Sequence, residues 1–273
     1  MADRVFVAGA TGGVGQLAVA KALDKGYVVR VLTRSPEKAQ QMFGDRVEIA
    51  IGDIRQPDTL ASTMTNVDYV LCCTGTTAFP SPRWNFDLPD NLNPLEQIQE
   101  WSKIYLDADY RNAKAKNNPQ KVDAEGVRSL VAAAPQSLKR FVFISSAGVE
   151  RKDTPPYNIL NAFGVLDAKQ QGEAAVLRSG LPYTIIRPGR LIDGPYTSYD
   201  LNTLLKAKTD GKLGVVVRSG DSLNGQTSRI DVAAACVECL EYPTTERQAF
   251  AIVNQGQRPH PLDWATLFAQ LRG

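Results

Sequence analysis

A glycine-rich turn near the start of the chain has the residue types and spacing for binding phosphate groups. Gly9, Gly12 and Gly15 follow a short apolar run at residues 5–8 and lead into a helix-like stretch at residues 14–24. In this order the first glycine permits a tight turn, the second lets the backbone approach a phosphate, and the third lets the helix pack closely on the strand. The helix N-terminus adds unpaired N–H groups and a positive dipole end. The pattern predicts a site for the diphosphate of a dinucleotide, formed by Gly9, Thr11, Gly12, Gly13, Val14 and Gly15.

The end of the second apolar run indicates which dinucleotide is bound. An acidic side chain at this position of an NAD site binds the ribose hydroxyls, but this chain has Arg34. Arginine carries a permanent charge and a planar fork of donors that suits a 2′-phosphate, and Lys38 is a candidate second contact. The alternative is a solvated arginine that precedes a helix cap at Ser35. We therefore expect NADP(H) rather than NAD(H).

Two further loops carry candidate contacts to the same cofactor. After the third apolar run, Asp53 can accept a hydrogen bond from an adenine amino group while Ile54 packs on the ring. The alternative for Asp53 is an Asx turn. After the fourth run, small residues would let the backbone pass beside the pyrophosphate and ribose, and these are Thr74, Gly75 and Thr76.

Short apolar runs alternate with stretches of helical periodicity along most of the chain. This alternation predicts an α/β fold with a doubly wound, Rossmann-type parallel sheet that helices cover on both faces. Ligands of such folds bind at the carboxyl ends of the strands, where the candidate cofactor residues lie. The predicted strands are residues 5–8, 27–32, 47–51, 67–73, 140–145 and 183–187, and the predicted helices are residues 14–24, 57–64, 121–134 and 159–179.

The C-terminal portion, from about residue 189 to residue 273, breaks this rhythm without a linker, so we expect one domain over residues 1–273. Its position predicts a small subdomain on the substrate or partner side of the sheet. The predicted helices here are residues 204–209, 231–240 and 262–271, and the predicted strands are residues 214–218 and 249–253.

Residues 76–120, here called the insert, are long for a loop in a compact domain. A helix is predicted at residues 97–108. Two interpretations stay open: a surface excursion packed by its own aromatic side chains, or a lid or partner-docking element over the cofactor edge. Its aromatic residues include Trp84, Phe86, Trp101 and Tyr105.

The composition excludes several classes of function. A net charge of +2 over 273 residues does not indicate a nucleic-acid partner, and no apolar run approaches the roughly 20 residues of a membrane span. Because His260 is the one histidine, neither a Ser-His-Asp triad nor a histidine-rich metal site is expected. The chain enters a strand almost at once, which predicts no signal or transit segment. We expect a cytoplasmic protein, or a stromal one if a transit peptide has been removed.

The four cysteines are Cys72, Cys73, Cys236 and Cys239. The C-x-x-C pair lies inside a predicted helix, whereas reactive pairs of this kind usually lie at a helix N-terminus. We expect all four to be small buried apolar residues, in keeping with a reducing compartment.

Together these motifs resemble the short-chain dehydrogenase/reductase superfamily, in its atypical NAD(P)-binding branch. The resemblance covers nearly the whole chain and includes the adenine-contact motif Gly52-Asp53-Ile54 and a late helix start at residues 230–233. It also includes the end of a fifth strand at residues 144–147 and the segment at residues 187–191 that borders the nicotinamide. The resemblance therefore implies further cofactor contacts from Ser145, Pro188, Gly189 and Arg190.

More narrowly, residues 73–80 and 189–196 resemble a cyanobacterial and plastid group. That group includes proteins tied to photosystem assembly and chloroplast import. The resemblance implies peripheral association with thylakoid membranes, and it leaves the oligomeric state open.

The superfamily reduces carbonyls with a serine and a Tyr-x-x-x-Lys pair, and this chain matches the motif only in part. Ser146 matches the serine and Lys169 matches the lysine, which also holds the nicotinamide ribose in the superfamily. Val165 stands where the tyrosine is expected, and valine cannot donate a proton. Candidate replacements are water and the hydroxyls of Tyr157, Tyr196 and Tyr199.

Two functions from different classes remain open. The first is an NADPH-dependent reductase of an aromatic or extended acceptor such as a flavin, quinone or bilin, because hydride transfer to these can take its proton from solvent. The second is a non-catalytic NADP(H)-binding assembly factor, scaffold or redox sensor that binds a protein partner. The complete set of cofactor residues and the aromatic-rich insert support the first, and the missing tyrosine and the resemblance to photosynthesis-associated members support the second.

Overall fold

The strands of the computed structural model, which describes residues 2–192 and 213–272, lie close to the predicted apolar runs. The predicted helix at residues 204–209 and the candidates Tyr196 and Tyr199 lie outside the described residues. The described strands are β1 (Arg4–Ala8), β2 (Val28–Thr33), β3 (Glu48–Ile51), β4 (Tyr69–Cys72), β5 (Arg140–Ile144), β6 (Tyr183–Pro188), β7 (Arg190–Leu191), β8 (Leu213–Ser219), β9 (Gln226–Thr227) and β10 (Gln248–Gln257).

Helices follow most of these strands and cover the sheet. Short 3₁₀ turns and one π-helical segment, Gln120–Gly126, complete the described secondary structure. The described α-helices are α1 (Gly15–Asp24), α2 (Pro36–Phe43), α3 (Pro94–Leu106), α4 (Ala108–Lys114), α5 (Val127–Ala133), α6 (Tyr157–Leu160), α7 (Val165–Arg178), α8 (Arg229–Glu238) and α9 (Trp264–Ala269).

Eight of the described strands form one sheet in the order β3-β2-β1-β4-β5-β6-β10-β8, and β7 pairs with β9 apart from it. This order confirms the Rossmann-type fold, with a crevice where β2 and β4 diverge on either side of β1. Strand β8, in the C-terminal portion where the β-α-β alternation ends, runs antiparallel to β10. Strand β8 lies at the edge of the sheet, and mixed sheets commonly carry an antiparallel edge strand.

The core consists of two apolar layers, one on each face of the sheet. Along β1, Val5 and Val7 belong to the layer that includes α1 and α8, while Phe6 and Ala8 belong to the layer that includes α5. All four residues are fully buried. Because successive strand residues face opposite sides, this near-continuous apolar run is what a strand covered on both faces requires.

Two predicted helices are interrupted, one by side-chain hydrogen bonds and one by a glycine with a positive φ. Residues 57–64 form two 3₁₀ turns, because the Thr59 hydroxyl bonds to Gln56 O at 2.7 Å and the Thr63 hydroxyl bonds to Leu60 O at 2.6 Å. Residues 159–179 divide at Gly164, whose φ of 77° ends α6 and its turn before α7 begins. Side-chain hydroxyls and a left-handed glycine therefore override the helical periodicity.

The insert packs on its own aromatic side chains. Rings lie 5.6 Å apart for Phe86 and Trp101, and 6.2 Å apart for Trp101 and Tyr105. Its predicted helix begins earlier than expected, at Pro94, because the Asn93 side chain accepts from the backbone of the first turn and forms a capping box. The insert is thus a folded element.

No helix among the described residues is long and apolar enough to cross a membrane.

The cysteines occupy the core, and all four are free thiols. Cys72, Cys236 and Cys239 are fully buried, and Cys73 is half-buried. Burial raises the pKa of Cys72 to about 11 and that of Cys239 to about 12, so both thiols stay protonated at neutral pH. In this state they pack as apolar side chains.

Candidate functional site

The glycine turn after β1 has no room for larger residues at two positions. Gly9 has a φ of 78°, and a Cβ on it would lie 2.8 Å from the backbone of Cys73. A Cβ on Gly15 would lie 2.1 Å from Gly9 O. Between them, Gly12 N donates to Gly9 O at 2.9 Å, which closes the turn ahead of α1. The geometry is that of a phosphate-binding turn at a helix N-terminus.

A cleft of about 560 Å³ opens beside this turn, at the carboxyl ends of β1 to β4. Among the described residues that line it, basic side chains outnumber carboxylates, since the one acidic residue is Asp53. A concave surface of this charge suits a ligand with several phosphates. The basic residues are Arg34, Lys38, Arg55, Arg83 and Arg229.

The cleft includes most of the predicted cofactor residues from the ends of the first four strands. They are Gly9, Thr11, Gly12, Arg34, Asp53, Ile54, Thr74, Gly75 and Thr76.

Arg34 and Lys38 lie at the N-terminus of α2, Arg34 just before the helix and Lys38 in its first turn. The Arg34 side chain is 56% exposed, and its Nη1 lies 3.8 Å from Asp53 Oδ2, which is a loose ion contact. The loop is fixed beneath it, because Ser35 N donates to the Thr33 hydroxyl at 3.0 Å. Arg34 is therefore a cation on a rigid loop that can still turn toward a ligand.

Asp53 is bound by Arg55, a partner that the sequence analysis missed. Arg55 N donates to Asp53 Oδ1 at 3.0 Å, which is the Asx turn considered as the alternative, and the Arg55 guanidinium clasps both carboxylate oxygens. Burial acts to raise the pKa of Asp53, but the hydrogen bonds and charge of Arg55, aided by Arg34, hold it below its usual range. The adenine contact of Asp53 stays a prediction, with Ile54 buried beside it against Gly126.

Arg55 also connects this loop to the insert. Its Nη1 donates to Lys116 O at 2.8 Å and to Asn117 Oδ1 at 2.6 Å. Asn117 O in turn accepts from the Thr76 hydroxyl at 3.1 Å. The base of the insert is thus part of the cleft wall, to which it contributes Arg83 and Asn117.

Lys169 lies under the floor of the cleft, with acceptors for its ammonium group inside the protein. Its Nζ donates to Ile144 O at 2.7 Å and to Thr74 O at 3.3 Å, and lies 2.9 Å from Asp123 Oδ1. A Cβ on Gly75 would lie 3.4 Å from both Lys169 Nζ and Asp123 Oδ1. Contact with a ribose would require one of these acceptors to be replaced.

Asp123 is fully buried and was not singled out from the sequence. Burial raises its pKa, and the Lys169 charge and the Thr76 N–H, which donates to Oδ2 at 3.2 Å, oppose that shift. No local motif marks this residue, because its partners come from the segment after β4 and from α7.

The serines matched to the fifth strand differ in their surroundings. The Ser145 hydroxyl is buried and has no hydrogen-bond partner among the described residues, so it is available to a ligand. The Ser146 hydroxyl donates to Ala147 O at 3.0 Å and is half-buried. Val165 is buried at the start of α7, so an apolar side chain occupies the position where the superfamily has its tyrosine.

Several predicted residues lie outside the cleft wall. Gly13 lies under the side chain of Arg229, and Val14 is the capping residue of α1. Pro188 ends β6, Gly189 packs against Gly225, and Arg190 is exposed on β7. Gly15 is a packing position behind the wall, and Ser145 is buried and is not among the residues that line the cleft. Their contacts to a cofactor stay predictions.

Tyr157, one candidate to replace the missing tyrosine, is held in a separate cluster. Its hydroxyl donates to Asn224 Oδ1 at 2.6 Å and accepts from Arg151 Nη2 at 3.2 Å. Its ring lies against Gly148, which has a φ of 91°, and Arg151 stacks over it at 4.7 Å. These contacts give the hydroxyl a structural role in the loop after β5.

Known proteins resemble this chain in sequence. It is 31% identical to an uncharacterized chloroplastic protein of Arabidopsis thaliana, over 99% of this chain and 83% of that protein. It is 30% identical to sanguinarine reductase of Eschscholzia californica, over 98% and 95% of the two chains. Photosystem II assembly factor Ycf39 of Trieres chinensis is 25% identical, over 92% of this chain and 64% of that protein. These relatives confirm the resemblance to the plastid group.

The fold and the family are both supported by these comparisons. A solved oxidoreductase from Lactococcus lactis superimposes with a TM-score of 0.64 over 93% of this chain and 92% of that one, at 18% identity, which shows the shared fold. The sequence pattern described as NAD(P)H-binding matches residues 9–243. With the glycine turn and the cation-lined cleft inside that range, the chain belongs to the NAD(P)H-binding family.

Proposed function

We propose that the protein is an NADP(H)-dependent reductase of an aromatic or extended organic acceptor. The observation that carries the choice of NADP(H) is the pair of cations, Arg34 and Lys38, at the end of β2 in the cleft beside the glycine turn. A 2′-phosphate at this position would meet Arg34, whose guanidinium lies 3.8 Å from the Asp53 carboxylate, its one ion contact among the described residues. An NAD site would instead place a carboxylate here for the ribose hydroxyls.

The class of acceptor is inferred from the candidate proton donors, because none of those among the described side chains is available to a substrate. Val165 offers no proton, Lys169 is engaged by Asp123 and two carbonyls, and the Tyr157 hydroxyl is engaged by Arg151 and Asn224. A reductase of this kind moves a hydride from NADPH to the acceptor, and water supplies the proton. The chain would contribute orientation of the two reactants and exclusion of bulk water. The relative named sanguinarine reductase supports a reduction of an organic acceptor.

The test is NADPH oxidation by the purified protein with four acceptors: FMN, a benzoquinone, biliverdin and sanguinarine. We expect turnover with at least one acceptor, and little turnover when NADH replaces NADPH. The matched control is Arg34→Ala, which should lose turnover at low NADPH concentration and regain part of it at saturation. Absence of NADPH oxidation with all four acceptors would count against the reductase.

A second candidate is a non-catalytic NADP(H)-binding assembly factor, scaffold or redox sensor. The observation that favours it is the internal engagement of Lys169, which takes the superfamily's catalytic lysine away from the nicotinamide side. The resemblance to Ycf39 supports a role at photosynthetic complexes, in a plastid or cyanobacterial setting. Pull-downs from thylakoid extract with NADP⁺ or NADPH added test it, and identical partners and affinities in both would remove the sensing role.

A further inference from the structure

Helices α1 and α8 lie side by side and run in the same direction. At one end, the side chain of Arg229, the first residue of α8, lies against Gly13, two residues before α1. At the other end, Lys25 Nζ, just after α1, lies 2.9 Å from Oε2 of Glu238, the last residue of α8. Both N-termini therefore lie at the edge of the sheet that carries the glycine turn, and both helix dipoles point their positive ends there.

Arg229 occupies the space that the missing side chain of Gly13 leaves. A Cβ on Gly13 would lie 3.1 Å from both Cδ and Nε of Arg229, which is closer than ordinary packing. The same arginine lines the cleft together with Gly9, Thr11 and Gly12. The guanidinium group is thus carried across the turn from the C-terminal half of the chain.

The backbone around Arg229 is held by buried polar groups. Ser228 N donates to Asn254 Oδ1 at 2.6 Å, and Asn254 Nδ2 donates to Asp231 Oδ2 at 2.7 Å. Asp231 is fully buried and also accepts from Arg258 Nη2 at 2.9 Å. Residues on both sides of Arg229 are therefore fixed to β10, which sets the position from which its side chain starts.

We propose that Arg229 binds the diphosphate of the dinucleotide from the N-terminus of α8, beside the glycine turn, so that a bound cofactor ties α1 and α8 together through its phosphates. This assignment rests on the proposed NADP(H) function and adds a residue to it. It also assigns the two arginines to different phosphate groups of the cofactor. Arg34 follows β2 and serves the 2′-phosphate, while Arg229 lies over the turn of β1 and serves the diphosphate, which NADPH and NADH share.

The experiment compares NADPH and NADH affinities in matched variants by calorimetric titration. Arg229→Met keeps the apolar stem and removes the guanidinium, so we expect affinity for both cofactors to fall by the same factor, about tenfold or more. Arg34→Ala should weaken NADPH binding alone. Arg128→Met, an exposed position on α5, controls for the loss of one positive charge and should change neither affinity.

A second variant keeps the test independent of any folding defect in Arg229→Met. Gly13→Ala should displace the Arg229 side chain and weaken both cofactors several-fold, and it should have no further effect when Arg229 is already methionine. Unchanged affinities in Arg229→Met would overturn the assignment, and so would a loss confined to NADPH. A wild-type protein that binds neither cofactor would instead overturn the NADP(H) function itself.

Discussion

Lys169 Nζ lies 2.9 Å from Asp123 Oδ1 directly beneath Gly75, and both side chains are buried. The ion pair joins α7 to the π-helical segment, and the carbonyls of Thr74 and Ile144 bring the ends of β4 and β5 to the same ammonium group. The lysine that resembles a catalytic residue thus supports the floor of the cleft. We expect removal of this lysine to appear first as a lower free energy of unfolding.

Breaking this pair should destabilise the protein strongly. Asp123→Asn leaves a buried ammonium without its counter-charge, so we expect the free energy of unfolding to fall by about 3–5 kcal/mol. Urea unfolding followed by circular dichroism measures it. The control is Lys152→Met, which breaks a half-exposed pair with Asp167 and should cost about 0–1 kcal/mol. Wild-type stability in Asp123→Asn, together with lost cofactor affinity, would place Lys169 on the cofactor instead.

Arg34→Ala should convert the cofactor preference. Removal of the guanidinium takes away a charge-assisted hydrogen bond to the 2′-phosphate, so NADPH affinity should fall by about tenfold to a hundredfold while NADH affinity stays within about twofold. Fluorescence titration with each cofactor measures the two constants. Arg178→Ala, exposed at the end of α7, is the matched loss of charge. An equal loss of both cofactors in Arg34→Ala would contradict the assignment.

Gly9→Ala should abolish cofactor binding and destabilise the fold. Its φ of 78° costs about 1–2 kcal/mol for an L-residue, and the added Cβ would also meet the Cys73 backbone at 2.8 Å. Gly180→Ala provides the comparison, because Gly180 has a φ of 75° with nothing within 4 Å of its Cβ. Thermal unfolding should show the larger loss at Gly9. Similar losses in both variants would mean that the close approach to Cys73 contributes nothing.

Acid should release the loop after β3 by protonating Asp53. The folded protein holds the pKa of this carboxyl below its usual value, so the unfolded chain binds the proton more readily. The stabilisation is therefore complete above the ordinary aspartate range, near pH 4, and is lost as the pH falls through the lower folded value. Unfolding free energies of wild type and Asp53→Asn, measured from neutral pH downward, should converge in acid. A difference independent of pH would exclude Asp53 as the titrating group.

Much of the cofactor site was predictable because its signals are local. Gly9, Gly12 and Gly15 lie within one turn, and Arg34 lies at the end of one strand, so residue type and spacing were enough to predict a phosphate-binding turn and a nearby cation, whose contacts to a cofactor stay predictions. The alternation of apolar runs likewise predicted the sheet. A strand that is covered on both faces needs apolar residues at successive positions, and this pattern is visible within a few residues of sequence. The prediction was wrong where a local hydrogen bond or a left-handed glycine competed with helical periodicity, as at Thr59 and Gly164.

The sequence by itself therefore determined a dinucleotide turn, the cation after β2 and the Rossmann-type core, all from residues close together in the chain. Only the tertiary structure decided which distant partners those residues have. It paired Lys169 with Asp123 and placed Arg229 over Gly13. The physical reason is that an ion pair depends on a few ångströms of separation in space, and sequence periodicity carries no information about contacts between distant elements. The glycine turn could be predicted from the sequence, and the arginine that covers it could not.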